Sequence, residues 1–513
     1  MTRNTQIRTR FAPSPTGFLH IGGLRSALTN YLFAKKYDGQ FILRLEDTDQ
    51  ERLVKDSVKD IIDSLNWAGL KIDEGVIGVD EKGEIVEKGE KGPYVQSKRL
   101  KIYQKYAKQL VNQGDAYYCF CSSERLNEMR KQQQKQGEAP MYDRECYKLS
   151  DEQVKTRLKR GQKHVIRLKI PRERDFGAKV AVSENKNEGF TSFDDMVRGP
   201  CLFQNKLIDD QVLIKSDGFP TYHLAVVVDD YEMEIPHVFR GEEWLPSTAK
   251  HIILWELLGW KDKMPKFGHL PQLLNLNGKK LSKRDGDVSV RDFYKKGYLP
   301  EAILNYIALL GWNPKTTEEI FSLKDLEERF DEKKLNKAGA RFDYKRLDWF
   351  SNYYIKQLED KEYLKILKNQ NFLENLKLDY EKAAKIALIQ KERISKLGDV
   401  FLDIDYLIYD LEKFEKNLLG WKKMTDDEIK QNLQKAKEVI EKIDKKYFSS
   451  DRKNLEKITE ILLEVAGENR GEFLWPLRVA LTGKKQSVSP FECVWVLGKE
   501  KSIQRINKAL ALI

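Results

Sequence analysis

RTRFAPSPTGFLHIGGLRSALTNYLFAKKYDGQFILRLEDTD, residues 8–49, is the stretch whose reading decides the fold. Arg8 to Ala12 alternates as a strand does, and Pro13, Pro15 and Gly17 impose a turn after it. Leu24, Leu28, Tyr31 and Leu32 recur at helical spacing, which predicts a helix from Leu24 to Lys36 with Asp38-Gly39 as its stop. Phe41 to Leu45 then reads as a buried strand ending in Glu46-Asp47-Thr48-Asp49. Strand, crossover helix and strand make a βαβ unit, and hence a parallel sheet. Ligands of such sheets sit beyond the carboxyl ends of the strands. Arg10, Ser14, His20 and Glu46 are therefore expected to converge on one crevice.

Outward from this unit the chain changes character once. Of its 15 prolines, none lies between Pro314 and Pro476, and that interval is rich in Leu, Ile, Lys and Glu. It reads as a helical array; in Glu428 to Ile443, for example, Ile429, Leu433, Ala436, Val439, Ile440 and Ile443 keep helical spacing. The part before it mixes short β-branched runs with amphipathic helices, an α/β pattern. Residues 76–92 look like an inserted charged loop or small hairpin punctuated by glycine, with no role assigned. KQQQKQ, residues 131–136, is low in complexity and fits a solvated helix. No internal repeat is present.

The 513 residues, 41% hydrophobic and 33% charged, describe a globular protein of several domains. No apolar run approaches membrane-spanning length, and the longest, such as Leu224 to Val228, are strand-sized. The start is polar and basic without the apolar segment of a secretory signal, so a cytoplasmic location is expected. Five cysteines fit a reducing compartment better than a disulfide framework. The net charge of +11 favours an anionic partner, nucleic acid first, although a solvated lysine-rich surface would give the same sum.

Specific chemistry comes from motifs. FAPSPTGFLHIGG (Phe11 to Gly23) resembles the first signature of class I aminoacyl-tRNA synthetases, and KLSKR (Lys280 to Arg284) resembles their second. With RLEDTD at 44–49, PTYHL at 220–224, VVDDY at 227–231, HVFRGEEW at 237–244 and PLRVALTG at 476–483, the chain resembles the glutamyl-tRNA synthetase family over nearly its whole length. A P-loop is absent, which disfavours a P-loop NTPase.

From the residues themselves, Gly22 and Gly23 at a helix start suit phosphate, because free amides and the positive end of the helix dipole favour anions. An imidazole at His20 can donate to a phosphate oxygen as charge builds. Lys280 and Lys283 lie in a loop flanked by Gly278 and Gly286, as a cation that must meet and then release pyrophosphate requires. An acidic amino acid needs one carboxylate for its ammonium, a fixed guanidinium, and hydroxyl donors. Glu46, Arg10 and Arg240, and Ser14 and Tyr222 supply these, at positions matching the family's glutamate pocket. His223 reads as a packed or capping residue.

The resemblance implies an α/β N-terminal catalytic part, with a doubly wound Rossmann-like parallel sheet and an inserted subdomain, followed by an all-α C-terminal domain. The expected divisions are 1–115 and 211–270 for the catalytic halves, 116–210 for the inserted tRNA acceptor-binding subdomain, 271–345 for a stem-contact region carrying KLSKR, and 346–513 for the anticodon-binding helices. It implies ATP with Mg²⁺ as cofactor, contacts to ATP from His20, Gly22, Gly23, Glu243, Trp244, Lys280 and Lys283, and L-glutamate and tRNA as partners. Glutamine-specific tRNA stays open as a second substrate, and a monomer is expected. Cys119-x-Cys121 followed by Tyr142-x-x-x-Cys146 resembles a zinc-binding pattern of some members. Three thiolates and a fourth ligand would make a closed structural site, and three reduced core thiols are the alternative. Cys201 and Cys493 read as buried hydrophobes.

The implied activity is glutamate–tRNA ligation: activation of L-glutamate by ATP to glutamyl-adenylate, then transfer to the 3′-terminal adenosine of tRNA. Glutaminyl-tRNA synthetases are disfavoured by Ser14 and Thr16. A shorter paralogue that modifies a tRNA base lacks the helical last third. A catalytically dead tRNA-binding protein is opposed by His20, Glu46, Lys280 and Lys283.

Overall fold

The computed structural model describes residues 6–171, 189–282, 285–374, 378–411 and 415–513. The chain divides into two compact units, Met1–Asp292 with Leu304–Asp343, and Phe293–Ile303 with Tyr344–Ile513.

The first unit opens with β1 (Arg8–Phe11), α1 (Ile21–Lys36) and β2 (Gln40–Leu43). β1 and β2 pair in parallel, Arg8 opposite Gln40 and Phe11 opposite Leu43, as the βαβ reading requires. The helix starts three residues earlier than its apolar spacing suggested, because His20 caps it. After α2 (Ser57–Trp67), β3 (Glu74–Val79) joins β2 in parallel and turns back into β4 (Ile85–Lys88). The charged stretch at 76–92 is thus a hairpin. Asp80 closes its turn by accepting the amides of Lys82 and Glu84.

Beyond α3 (Leu100–Gln113), the strands β5 (Ala116–Cys119), β6 (Val165–Leu168) and β9 (Val212–Ile214) form an antiparallel sheet. Between them lie the exposed helices α4 (Ser123–Lys135) and α5 (Asp151–Lys159), and the hairpin of β7 (Phe190–Asp195) with β8 (Gly199–Gln204). KQQQKQ begins on α4, solvated as expected.

α6 (Tyr222–Glu232), β10 (His237–Gly241), α7 (Leu245–Leu257) and β11 (Lys266–Leu270) complete the parallel core. β10 pairs in parallel with β11 and runs beside β1, with α1 packed over both β1 and β10. The apolar run Leu224 to Val228 lies inside α6, although its length had suggested a strand; a run of five cannot distinguish the two. All five side chains are buried in the core shared with α3 and α7.

The second unit is helical. Its principal helices include Tyr344–Gln357, Tyr380–Gln390, Asp426–Lys442, Arg452–Ala466, Arg470–Thr482 and Pro490–Leu510. In Asp426–Lys442, Ile429, Leu433, Ala436 and Ile440 are buried, as their spacing predicts, and Thr425 and Glu428 close a capping box at its start. Pro476 sits within a helix, and the longest helix kinks at Gly498. The proline-free interval overshoots this unit, since residues up to Asp343 belong to the first.

Candidate active site

The carboxyl ends of β1, β2, β10 and β11 open onto one cleft of about 620 Å³. Arg10, Ser14, His20, Gly22, Gly23, Glu46, Tyr222, Arg240, Glu243, Trp244 and Lys280 all line it. Sequence positions 270 residues apart therefore meet as the parallel-sheet rule requires. Lys283 lies outside the described residues.

At one end stands the first signature. His20 is the N-cap of α1, and its Nδ1 accepts the Gly23 amide at 3.1 Å. The imidazole proton of the neutral ring is then on Nε2, the nitrogen left to donate to a ligand. The surrounding walls lower the basicity of His20, Lys280 adds to this, and Glu243 opposes it. A Cβ on Gly22 would stand 3.1 Å from the His20 ring, so glycine there leaves the imidazole its place. The anion cradle is narrower than the sequence suggested, because the Gly23 amide serves His20 and the Ile21 amide serves the Val288 carbonyl.

The residues after the second signature are stitched to the first. The Val290 amide donates to Leu19 O, the Ile21 amide to Val288 O, and His20 bridges Ser289. On the other side, the Leu281 amide donates to Leu273 O. Asp285 accepts from Asn275 Nδ2 at 2.7 Å and from the Ser282 amide and hydroxyl at 2.9 and 2.8 Å.

At the other end lies a charged pocket. Arg10 gives Nε and Nη2 to Asp230 at 3.0 and 3.3 Å, and Arg44 gives Nη1 to Asp230 at 2.7 Å and Nη2 to Glu46 at 3.0 Å. Asp229 is held by Arg99 at 2.7 Å and by Tyr103 and Gln96. Burial alone would raise Asp230, yet Arg10 and Arg44 bring its carboxyl below the usual range. Burial pushes the Glu46 carboxyl up, with Arg44 and Arg10 opposing, so a ligand ammonium beside it would favour its charged form.

Arg240 differs from Arg10 and Arg44. Its three nitrogens reach His269 Nε2 at 3.0 Å, Tyr222 Oη at 3.0 Å, Thr248 Oγ1 at 2.8 Å and His251 Nδ1 at 3.2 Å. All four acceptors are neutral groups, and among the described residues no carboxylate pairs with this buried guanidinium. Glu243 folds back over Gly241, where any Cβ would overlap its carboxylate, and Trp244 packs on Tyr222 with ring centroids 4.2 Å apart.

Comparison with known proteins agrees with this geometry. Residues 6–349 match the family described as tRNA synthetases class I (E and Q), catalytic domain, and residues 354–510 match an anticodon binding domain. The glutamate–tRNA ligase of Finegoldia magna is 43% identical, over 99% of each chain. That of Clostridioides difficile is 44% identical, over 98% of each. A glutamate tRNA ligase from Elizabethkingia meningosepticum, solved in complex with its amino acid, superposes with a TM-score of 0.82 at 35% identity, over 99% of each chain. The chain belongs to the glutamate–tRNA ligase family.

Within this glutamate–tRNA ligase fold, the cysteine pattern also comes together. The Sγ atoms of Cys119, Cys121 and Cys146 all lie within 4.8 Å of one another, and Tyr142 Oη is 3.4 Å from Cys119 and 3.3 Å from Cys121. Tetrahedral zinc with bonds of about 2.3 Å to sulfur separates thiolates by roughly 3.8 Å, so the four side chains fit such an ion. Hydrogen bonding between Cys119 and Cys146 splits the two: it holds the Cys119 thiol below the usual range against burial, and with burial it pushes the Cys146 thiol above it. Cys493 is buried as expected, whereas Cys201 is only half-buried on the β7–β8 hairpin. His223 packs as expected, with Nδ1 3.1 Å from His251 Nε2.

Sequence reasoning missed the partners beneath the pocket: Asp229, Asp230, Thr248, His251, His269 and Asp195. A signal existed for one pair. Two carboxylates directly following the apolar run of α6 had to find buried cations.

Proposed function

We propose that this cleft activates L-glutamate with ATP and passes the glutamyl group to the 3′-terminal adenosine of tRNA. The observation that carries the reading is the unpaired charge of Arg240. Around it, Arg10 and Arg44 are matched by Asp230 and Glu46, and Arg99 by Asp229; Arg25, on α1, also lines the cleft and donates to the Pro271 carbonyl. Arg240 is thus the guanidinium beside Tyr222 that no carboxylate matches, which suits the side-chain carboxylate of glutamate and not the neutral amide of glutamine. Arg240 and Tyr222 take the side-chain carboxylate, Arg10 and Ser14 support it, and Glu46 takes the ammonium.

The α-carboxylate oxygen of glutamate then attacks the α-phosphorus of ATP, and pyrophosphate leaves. His20 donates from Nε2 to a phosphate oxygen, the Gly22-Gly23 turn keeps the approach open, and Lys280 and Lys283 meet charge on the departing group. Glu243 and Trp244 wall the nucleotide. Class I membership implies ATP and Mg²⁺, an ion that rides chiefly on substrate phosphates and needs no protein cage. Catalysis here is positioning and electrostatic stabilisation.

Residues 116–210 bind the tRNA acceptor end, residues 271–345 its stem, and residues 346–513 the anticodon. Cys119, Cys121, Tyr142 and Cys146 would hold a zinc ion that ties the segments 119–121 and 142–146 together. Among the described residues no helix is long and apolar enough to cross a membrane, and the reading is of a cytoplasmic monomer. Aminoacylation with purified tRNA for glutamate and tRNA for glutamine tests it. Charging of the first with glutamate is expected, and charging of neither would sink it.

A further inference from the structure

Behind Arg240 a carboxylate and an imidazole stand in series. The side chain of Asp195, at the end of β7, is completely buried, and its Oδ1 accepts the backbone amides of Val197, Arg198 and His269 at 2.9, 2.8 and 3.1 Å. Its Oδ2 lies 2.6 Å from Nδ1 of His269, itself completely buried on β11. The other nitrogen of that ring, Nε2, faces Arg240 Nε at 3.0 Å. Arg240 Nε always carries hydrogen, so Nε2 must be the bare nitrogen and the imidazole proton must sit on Nδ1, donated to Asp195. Burial lowers the basicity of His269 although Asp195 opposes it, which keeps the ring neutral.

We propose that Asp195 and His269 are positioning residues for substrate selection. Asp195 fixes the imidazole tautomer, and the imidazole fixes the plane of the Arg240 guanidinium that receives the side-chain carboxylate of glutamate. This rests on the reading of Arg240 as the glutamate-binding cation. Arg240 has no ion pair among the described residues, so its direction comes from neutral acceptors alone. One of those acceptors exists only while His269 holds its proton on the far side.

The hydrogen-bond pattern singles out one informative substitution. In Asp195→Asn the three backbone amides still require an oxygen at the Oδ1 position, so the new NH₂ must face His269 Nδ1. Its hydrogen forces the imidazole proton onto Nε2, where it opposes the hydrogen of Arg240 Nε. His269→Gln, by contrast, keeps the pattern by other means, since its amide oxygen can accept from Arg240 while its NH₂ donates to Asp195.

ATP–pyrophosphate exchange with tRNA present, on the full chain, tests this, with thermal unfolding as a check on folding. Asp195→Asn should raise the KM for glutamate by about tenfold, the value of one hydrogen bond at a charged group, with the KM for ATP unmoved. His269→Gln should keep the KM for glutamate within about threefold of the parent, which removal of the ring would not do if its role were merely structural. An unchanged KM for glutamate in Asp195→Asn, an equal rise in both KM values, or a His269→Gln variant no better than His269→Leu overturns the proposal. If Asp195→Asn does not fold, His269→Gln and His269→Leu replace it. A KM for glutamate about tenfold higher in the leucine variant supports the proposal, and equal values overturn it. Arg240→Lys in the same assay separates the two levels: if it leaves the KM for glutamate unmoved, the pocket reading itself falls.

Discussion

Replacing Arg240 by glutamine asks whether the unpaired guanidinium is what recognises glutamate. In the free protein the side chain is buried and satisfied by four neutral acceptors, so its charge is spent on nothing else. A substrate carboxylate in the cleft would supply the missing partner. A hydrogen bond between charged groups contributes roughly 1.5–3 kcal/mol, and each 1.36 kcal/mol is a factor of ten. Arg240→Gln should therefore raise the KM for glutamate by about 10- to 150-fold, while the KM for ATP, bound at the His20 end, changes by less than about threefold. The preference for glutamate over glutamine should shrink as well, because a neutral side chain no longer distinguishes the two by charge. Stability should also fall, since Tyr222, His251 and His269 lose their donor. Exchange assays with glutamate, glutamine and ATP titrated in turn, run well below the unfolding midpoint, make the measurement. A KM for glutamate within threefold of the parent, with preference over glutamine intact, would refute the assignment.

Lys283→Ala should slow adenylate formation by a factor on the order of 10² while tRNA affinity holds, as for a charge acting on the reacting phosphates; single-turnover activation kinetics report it. Cys119→Ser with Cys121→Ser should abolish bound zinc and lower the unfolding midpoint, and elemental analysis of the parent showing no stoichiometric metal would end that idea first. For pH, burial holds His223 and His237 down at about 4, with nearby lysines adding, against an ordinary value near 6.5. The unfolded chain binds protons in that window and the native chain does not, so stability is full above about pH 6.5 and is lost as pH falls toward 4. Chemical denaturation at pH 7.5 and 5 should show the lower value at pH 5; equal values would contradict the burial of these rings.

The catalytic half was legible in the sequence where its information is local. The βαβ unit, the strand ends carrying Ser14 and Glu46, and the helical spacing of Ile429 to Ile440 can each be read within a window of a few turns. The ion pairs that complete the pocket could not, because Arg10 and Asp230 are separated by 220 residues and only the sheet brings them together. Arg10 was expected to serve the ligand outright, and the structure shows two of its nitrogens already given to Asp230. His20 shows the limit of a motif from the other side. The signature marks it as a phosphate contact, but which nitrogen is left for that contact follows only from the Gly23 amide. The inserted β7 hairpin carried no motif at Asp195, so its reach to β11 was invisible beforehand.

The backbone stitches between Leu19–Ile21 and Val288–Val290 have a consequence for anyone recombining these enzymes. The two signatures are not interchangeable parts joined by a neutral scaffold. A first signature transplanted from a relative arrives with its own side-chain volumes at Leu19 and Ile21, and these set the height at which residues 288–290 dock. A graft that imports residues 11–23 alone inherits a foreign seat for the segment behind KLSKR. Moving residues 285–290 together with them keeps donor seat and donor segment matched, so the unit of exchange in this fold is the pair of strands of chain, not the motif.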